Sequence, residues 1–139
     1  MVNTADPGPG QSRTTILVVD DEPALVALVR TMLWRAGYNI LEAGSGEEAL
    51  RIAAEEQGLI KLLLTDVLMP EMNGYELAAK LRKSRPEMKV LFMSGYRDRA
   101  IFESTGVAVE DYPLVRKPFT QFALVSRIAE VLESAQVQA

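Results

Sequence analysis

The sequence predicts an α/β fold: a doubly wound, five-stranded parallel sheet with helices on both faces. Two observations predict it. Short β-branched or leucine-rich runs alternate along the chain with longer stretches whose apolar residues recur at helical spacing, the pattern of consecutive βαβ units. The strand-like runs also suit a parallel sheet covered on both sides, and right-handed crossovers then leave a doubly wound arrangement.

The elements follow in order. "TTILVVD" (14–20) is β-branched and reads as a strand. Residues 22–37 carry Leu25, Leu28, Val29, Met32 and Ala36 at helical spacing, with Pro23 suited to the first helical position and Gly37 to the stop. "YNILEA" (38–43) is a second strand. The helix at 45–58 opens with Ser45 and Glu48 in capping-box spacing. "KLLLTD" (61–66) is the third strand, and 73–84 is a helix that Asn73 can cap, with Glu76 three residues on. "KVLFMS" (89–94) is a fourth strand, 97–104 a short helix candidate and "LVR" (114–116) a fifth strand. The last helix, 120–134, places Leu124, Val125, Ile128, Val131 and Leu132 on one side.

A chain of 139 residues with 48% apolar content suits one domain with one core. Residues 1–13 are rich in Pro, Gly and small polar residues and read as a disordered tail or linker. The domain is expected over 14–135, with 136–139 frayed. The chain has no Cys, which excludes disulfides and thiolate metal sites, and no His, so any histidine chemistry must come from a partner. A net charge of −4 argues against a nucleic-acid surface. No apolar run approaches the roughly 18 residues of a membrane span, and the N-terminus lacks a signal-peptide pattern, so a cytoplasmic domain without direct membrane contact is expected. The basic run Lys80, Arg82, Lys83, Arg85 and Lys89 reads as a solvated helix face and its exit, with a docking patch for an acidic partner as the alternative.

In doubly wound sheets ligands bind at the carboxyl ends of the strands. Strand one ends on Asp20 and Asp21, strand three on Asp66, strand four on Ser94, and strand five runs into Lys117. Each residue alone has an ordinary reading as a turn residue, a strand exit or a solvated lysine. Together, at matching ends of parallel strands, they converge on one edge. Two carboxylates about 4 Å apart repel by roughly 4 kcal/mol at an effective dielectric of 20, so three need counter-charge. Lys117 supplies one part and a divalent cation the rest. Carboxylates, hard oxygen donors and retained waters describe a Mg²⁺ site completed by a phosphate. Asp66 can then act as a nucleophile toward phosphorus, with Ser94 offering a donor hydroxyl to a phosphoryl oxygen.

These residues, in the ordered segments "ILVVDDEP", "LLLTDVLMPEMNG", "VLFMSGY" and "VRKPF", resemble the receiver domain of bacterial two-component response regulators over about residues 14–134. The resemblance implies a flavodoxin-like strand order of 2-1-3-4-5. It also implies that Asp66 is the phosphoacceptor, and that Asp21, Asp66 and the Leu68 backbone carbonyl bind Mg²⁺ while Asp20 acts through a metal-bound water. Ser94 would be the switch hydroxyl, Lys117 its partner in binding the phosphoryl group, Lys117–Pro118 a cis peptide, and Pro70 and Gly74 the residues that shape the loop. The expected donor is a sensor histidine kinase or a histidine phosphotransfer protein, and a phosphorylation-dependent dimer stays open. One position departs from the family: the aromatic residue common three places before the lysine is Leu114 here, with Tyr112 out of register. Leu68 and Tyr96 occupy positions that tune phosphoryl lifetime in the family, and neither is a base that would orient an attacking water. "MSGY" and "KPF" are also similar to receivers attached to hybrid sensor kinases, and a stand-alone regulator fits equally. After residue 134 no DNA-binding output domain is expected.

Three alternatives remain at this point. A haloacid-dehalogenase-type phosphatase would need Asp-x-Asp on the first strand, where this chain has adjacent Asp20 and Asp21. A flavodoxin-like cofactor binder would need a Ser/Thr/Gly-rich loop where "DDEP" stands. A receiver-like interaction module that is never phosphorylated would share the whole fold.

Overall fold

The computed structural model describes residues 13–95 and 113–134. Nine elements follow one another: β1 (Thr15–Val19), α1 (Pro23–Arg35), β2 (Asn39–Ala43), α2 (Gly46–Glu55), β3 (Leu62–Asp66), α3 (Gly74–Ser84), β4 (Lys89–Ser94), β5 (Leu114–Arg116) and α4 (Gln121–Glu133). The strands form one parallel sheet in the order β2-β1-β3-β4-β5. Fold class, strand order and all five strands agree with the sequence reading. The helix predicted at 97–104, Tyr96 and Tyr112 lie outside the described residues.

Alternation along each strand feeds two cores. Leu17, Val19, Leu63, Val90 and Phe92 face α2 and α3, where Ala49, Ala53, Leu77 and Leu81 meet them. Ile16, Val18, Leu62, Leu64, Leu91 and Met93 face α1 and α4, meeting Val29, Leu33, Leu124 and Ile128. β3 is buried at every residue, as the central strand of a sheet covered on both sides must be.

The buried stripe of α1 is Val26, Val29 and Leu33; of the predicted set Val29 is buried and Leu25 and Met32 pack half-buried on the core, whereas Leu28 is 49% exposed and Ala36 lies outside the helix. The reason is that α1 is apolar on nearly every side, so spacing alone cannot select the face that packs. The helix ends as expected on Gly37, whose φ of 101° few other residues tolerate. Gly37 N–H donates to the Trp34 carbonyl and Tyr38 N–H to the Leu33 carbonyl, a Schellman stop.

Caps explain the other boundaries. Asn73 and Glu76 form a complete reciprocal capping box at α3, and Thr120 Oγ1 accepts from Ala123 N–H at α4. At α2 the box is half formed. Ser45 Oγ accepts from Glu48 N–H, but the Glu48 carboxylate reaches one residue further back, to Gly44 N–H at 2.6 Å.

Two members of the basic run are half-buried and hold helix ends. Arg85 donates to the carbonyls of Ala53, Glu56 and Gly58 at the end of α2, and Lys89 Nζ donates to those of Leu132 and Ser134 at the end of α4. Arg13 does the same for α1, donating to Trp34 and Tyr38 carbonyls while its guanidinium lies 3.6 Å from the Trp34 ring. Each cation satisfies orphan carbonyls and meets the negative end of a helix dipole.

Candidate functional site

The strand registers place the site residues in a step across the sheet. Val19 pairs with Thr65, so Asp20 emerges beside Asp66. Asp66 pairs with Met93, and Ser94 follows it; Ser94 pairs with Arg116, and Lys117 follows that. Backbone bonds carry the ladder into the site: Asp20 N–H donates to the Ala43 carbonyl, Val67 N–H to Met93 and Lys117 N–H to Ser94.

Asp20, Asp21 and Asp66 each offer a carboxylate oxygen within 4.8 Å of the others; Asp20 and Asp66 are buried and Asp21 is exposed. Lys117 Nζ bridges the two buried acids, 2.9 Å from Asp20 Oδ2 and 3.3 Å from Asp66 Oδ2. The other Asp20 oxygen accepts from Glu22 N–H at 2.8 Å. Partial burial alone would lower the Lys117 pKa, but the Asp20 hydrogen bond and the charges of Asp66 and Asp20 outweigh it and hold the ammonium above its ordinary value. Ser94 is buried, with its hydroxyl 3.4 Å from the Gly95 carbonyl. The Lys117–Pro118 peptide is cis.

The loop after β3 is held by Gly74 N–H donating to the Val67 carbonyl and Met72 N–H to that of Pro70, and Glu71 sits at φ 70°. Among the described residues no backbone N–H donates to the carbonyl of Leu68, a half-buried residue. A Cβ built on Gly74 would run into the Asp66 carbonyl oxygen and lie 3.2 Å from Val67 Cα, so only glycine lets α3 start this close to the acid. A cleft of about 370 Å³ opens beside Asp20 and Asp21, where Arg30 pairs with Glu42 at 2.8 Å.

The donor set fits a hard divalent cation: three carboxylates and no nitrogen or sulfur ligand. Asp20, already accepting from Lys117 and from Glu22 N–H, has less capacity for direct ligation than Asp21.

Leu114 pairs with Phe92 across the β4–β5 ladder, packs half-buried on the α2/α3 core, and its carbonyl accepts from Arg127 Nε. Sequence reasoning missed Thr65, whose buried hydroxyl donates to the Asp66 carbonyl at 3.0 Å. The available signal was one hydroxyl in an otherwise leucine strand. It also missed that Asp20 is the closer partner of Lys117.

Sheet order and edge chemistry together define a flavodoxin-like α/β domain with an acidic, lysine-bridged edge. Residues 16–129 match the model of the response regulator receiver domain, and the chain belongs to that family. It is 38% identical over 122 residues to the sensor kinase CckA of Brucella abortus, covering 88% of this chain and 13% of that protein. It is 31% identical over 124 residues to the transcriptional regulatory protein PhoP of Bacillus subtilis, covering 89% and 50%. The chain therefore spans half or less of the length of these relatives. Among solved structures, the receiver domain of the hybrid histidine kinase CckA superimposes with a TM-score of 0.69 at 35% identity, covering 86% of this chain and 99% of that one. A receiver domain protein from Clostridium thermocellum gives 0.72 at 30%, covering 86% and 94%. The phosphatase and cofactor-binder alternatives fall with this family assignment. Among the described residues no helix is long and apolar enough to cross a membrane.

Proposed function

We propose that this domain is a phosphoacceptor. Asp66 receives a phosphoryl group from a phosphohistidine on a sensor histidine kinase or histidine phosphotransfer protein and relays the signal by conformational change, in the cytoplasm. An Asp66 carboxylate oxygen forms a bond to phosphorus, the phosphorus–nitrogen bond to the donor imidazole breaks, and its electron pair stays on that nitrogen. The product is an acyl phosphate. The donor must be elsewhere because this chain contains no His. In this reading Asp21, Asp66 and the Leu68 carbonyl would hold Mg²⁺, and Asp20 would act through a water. The ion supplies positive charge for the phosphoryl oxygens.

The chain's own residues do the rest. Lys117 shifts its ammonium from the Asp66 carboxylate to an oxygen of the incoming group. The Ser94 hydroxyl donates to another oxygen once it arrives. Asp20 keeps Lys117 at the edge while this happens. Leu68 and Tyr96 offer no base, so hydrolysis of the acyl phosphate is slow. Leu114 presents no ring, so the switch differs from the family's aromatic one. The domain catalyses only its own phosphorylation and dephosphorylation.

The observation that carries this reading is one lysine bridging two buried carboxylates at the carboxyl ends of the adjacent strands β1 and β3. The test is incubation with acetyl phosphate and MgCl₂, read by intact mass. One added phosphate, lost in Asp66→Ala and in chelator, is expected. No gain under forcing conditions would favour the passive interaction module, which the exposed Leu28 and Phe122 also suit.

A further inference from the structure

We propose that Thr65 is a positioning residue for the acceptor: its hydroxyl fixes the peptide that follows Asp66 and so aims the Asp66 carboxylate. This deepens the phosphoacceptor reading and rests on it.

Thr65 is fully buried in β3 between Val19 and Phe92, both apolar and fully buried. A hydroxyl in such a place is unfavourable unless it is hydrogen-bonded, and valine would fill the same volume. The bond it makes goes to the carbonyl of Asp66, at 3.0 Å. That carbonyl belongs to the same peptide unit as Val67 N–H, which donates to the Met93 carbonyl of β4 at 3.2 Å. The peptide plane after Asp66 is therefore gripped at both ends, by a side chain of its own strand and by the neighbouring strand. Gly74 closes over the same carbonyl oxygen, so α3 covers it.

The consequence reaches the chemistry through backbone geometry. Rotation about the Asp66 Cα–C bond moves that carbonyl, and the rotamers open to a side chain depend on its backbone angles. Releasing the carbonyl lets the plane tilt, which redirects the Asp66 carboxylate and swings the start of the loop that carries Leu68. Thr65 touches no reacting atom in this account and acts through Asp66.

The test compares Thr65→Val, which keeps the shape and removes the donor, with Thr65→Ser, which keeps the donor. Magnesium affinity is measured by calorimetric titration with MgCl₂ alone, and the phosphorylation rate with acetyl phosphate by intact mass. Urea unfolding is followed in parallel. Thr65→Val is expected to lower both magnesium affinity and phosphorylation rate by about tenfold, as loss of a supporting hydrogen bond around a site does, while Thr65→Ser stays within about twofold of the parent. If Thr65→Val only unfolds more easily and binds and phosphorylates as the parent does, the role is structural and the proposal is overturned. If Thr65→Val does not fold, Thr65→Ala against Thr65→Ser makes the same comparison, and equal rates overturn it. A parent protein that gains no phosphate would instead overturn the phosphoacceptor reading, while the magnesium titration still judges Thr65.

Discussion

Lys117 pairs more closely with Asp20, at 2.9 Å, than with Asp66, at 3.3 Å. Asp20 is almost fully buried, so this ammonium, together with the Glu22 N–H on its other oxygen, is what makes its charge tolerable. Removing one partner of a buried ion pair strands the other, and the effect is smaller here because Lys117 keeps 23% of its side-chain surface exposed. Lys117→Gln is expected to destabilise the metal-free protein by about 1–3 kcal/mol. The pH dependence has a definite sign. Burial lowers the lysine pKa, but Asp20 and Asp66 raise it more, so the folded value lies above the unfolded one. Such a group contributes stability that is complete below the unfolded value of about 10.4 and is lost as pH rises through the folded value. The stability gap between parent and variant should be level from about pH 7 to 9 and shrink above about 10.5. Equal urea midpoints at pH 7 would sink this account.

Asp21 crowds two buried acids while being exposed itself. At a separation of no more than 4.8 Å, like charges in a water-like dielectric repel by about 1 kcal/mol. Asp21→Asn should therefore stabilise the metal-free protein by about 0.5–1 kcal/mol. With the proposed metal site, millimolar MgCl₂ is expected to raise the melting temperature of the parent and Asp21→Asn to lose most of that rise, since stabilisation by a ligand follows its affinity for the folded state. Thermal melts in chelator and in MgCl₂ check both halves. A variant that melts lower in chelator, or keeps the full magnesium response, contradicts the site described above.

Much of this was legible because it depends on strand ends. Once "KLLLTD" is a central parallel strand, Asp66 must stand at its carboxyl edge. Asp20, Ser94 and Lys117 follow from the same rule applied to their own strands. What was not legible depends on choices the pattern leaves open. In α1 apolar residues occupy most positions, so the packed stripe was set by fit to β1 and α4, not by spacing. Arg85 looked like one of several basic surface residues because its carbonyl partners lie 27 to 32 positions away. Thr65 was hidden by its own strand, where a buried threonine reads as one more β-branched residue.

Two glycines next to the site should respond differently to the same substitution. A Cβ on Gly74 meets backbone, the Asp66 carbonyl oxygen and Val67 Cα, which cannot move without shifting the end of β3. A Cβ on Gly46 meets the Met72 side chain, with the sulfur at 2.5 Å and Cβ and Cγ at 3.1 Å, where a few tenths of an ångström of give suffices. Methionine is unbranched and can find another rotamer. Gly74→Ala is expected to destabilise by about 2–3 kcal/mol and to slow phosphorylation, as overpacking against a rigid wall does. Gly46→Ala should stay within about 1 kcal/mol of the parent, helped by the helix propensity of alanine. Urea unfolding of the two variants gives the ranking, and similar losses would show that the Met72 contact is as rigid as the backbone.

Arg85 holds the end of α2 from the far pole of the sheet. Its guanidinium donates to Ala53 at 3.0 Å, Glu56 at 2.7 Å and Gly58 at 3.0 Å, three carbonyls spread along the exit of one helix. A planar fork with several donors can serve them together, whereas a lysine offers one compact charge. The bonds are charge-assisted and those to Ala53 and Glu56 are partly buried, so their removal leaves carbonyls short of partners at the negative end of the helix dipole. Arg85→Ala is expected to destabilise by about 1.5–3 kcal/mol, and Arg85→Lys to recover less than half of that loss. Phosphorylation of Asp66 should proceed at the parent's rate in both, because the clamp lies at the opposite edge of the sheet. Hydrogen exchange checks the location of the effect: protection should fall first in the last turn of α2 around Ala53 to Glu55. Uniform loss across the domain would show that Arg85 acts globally and not as a cap.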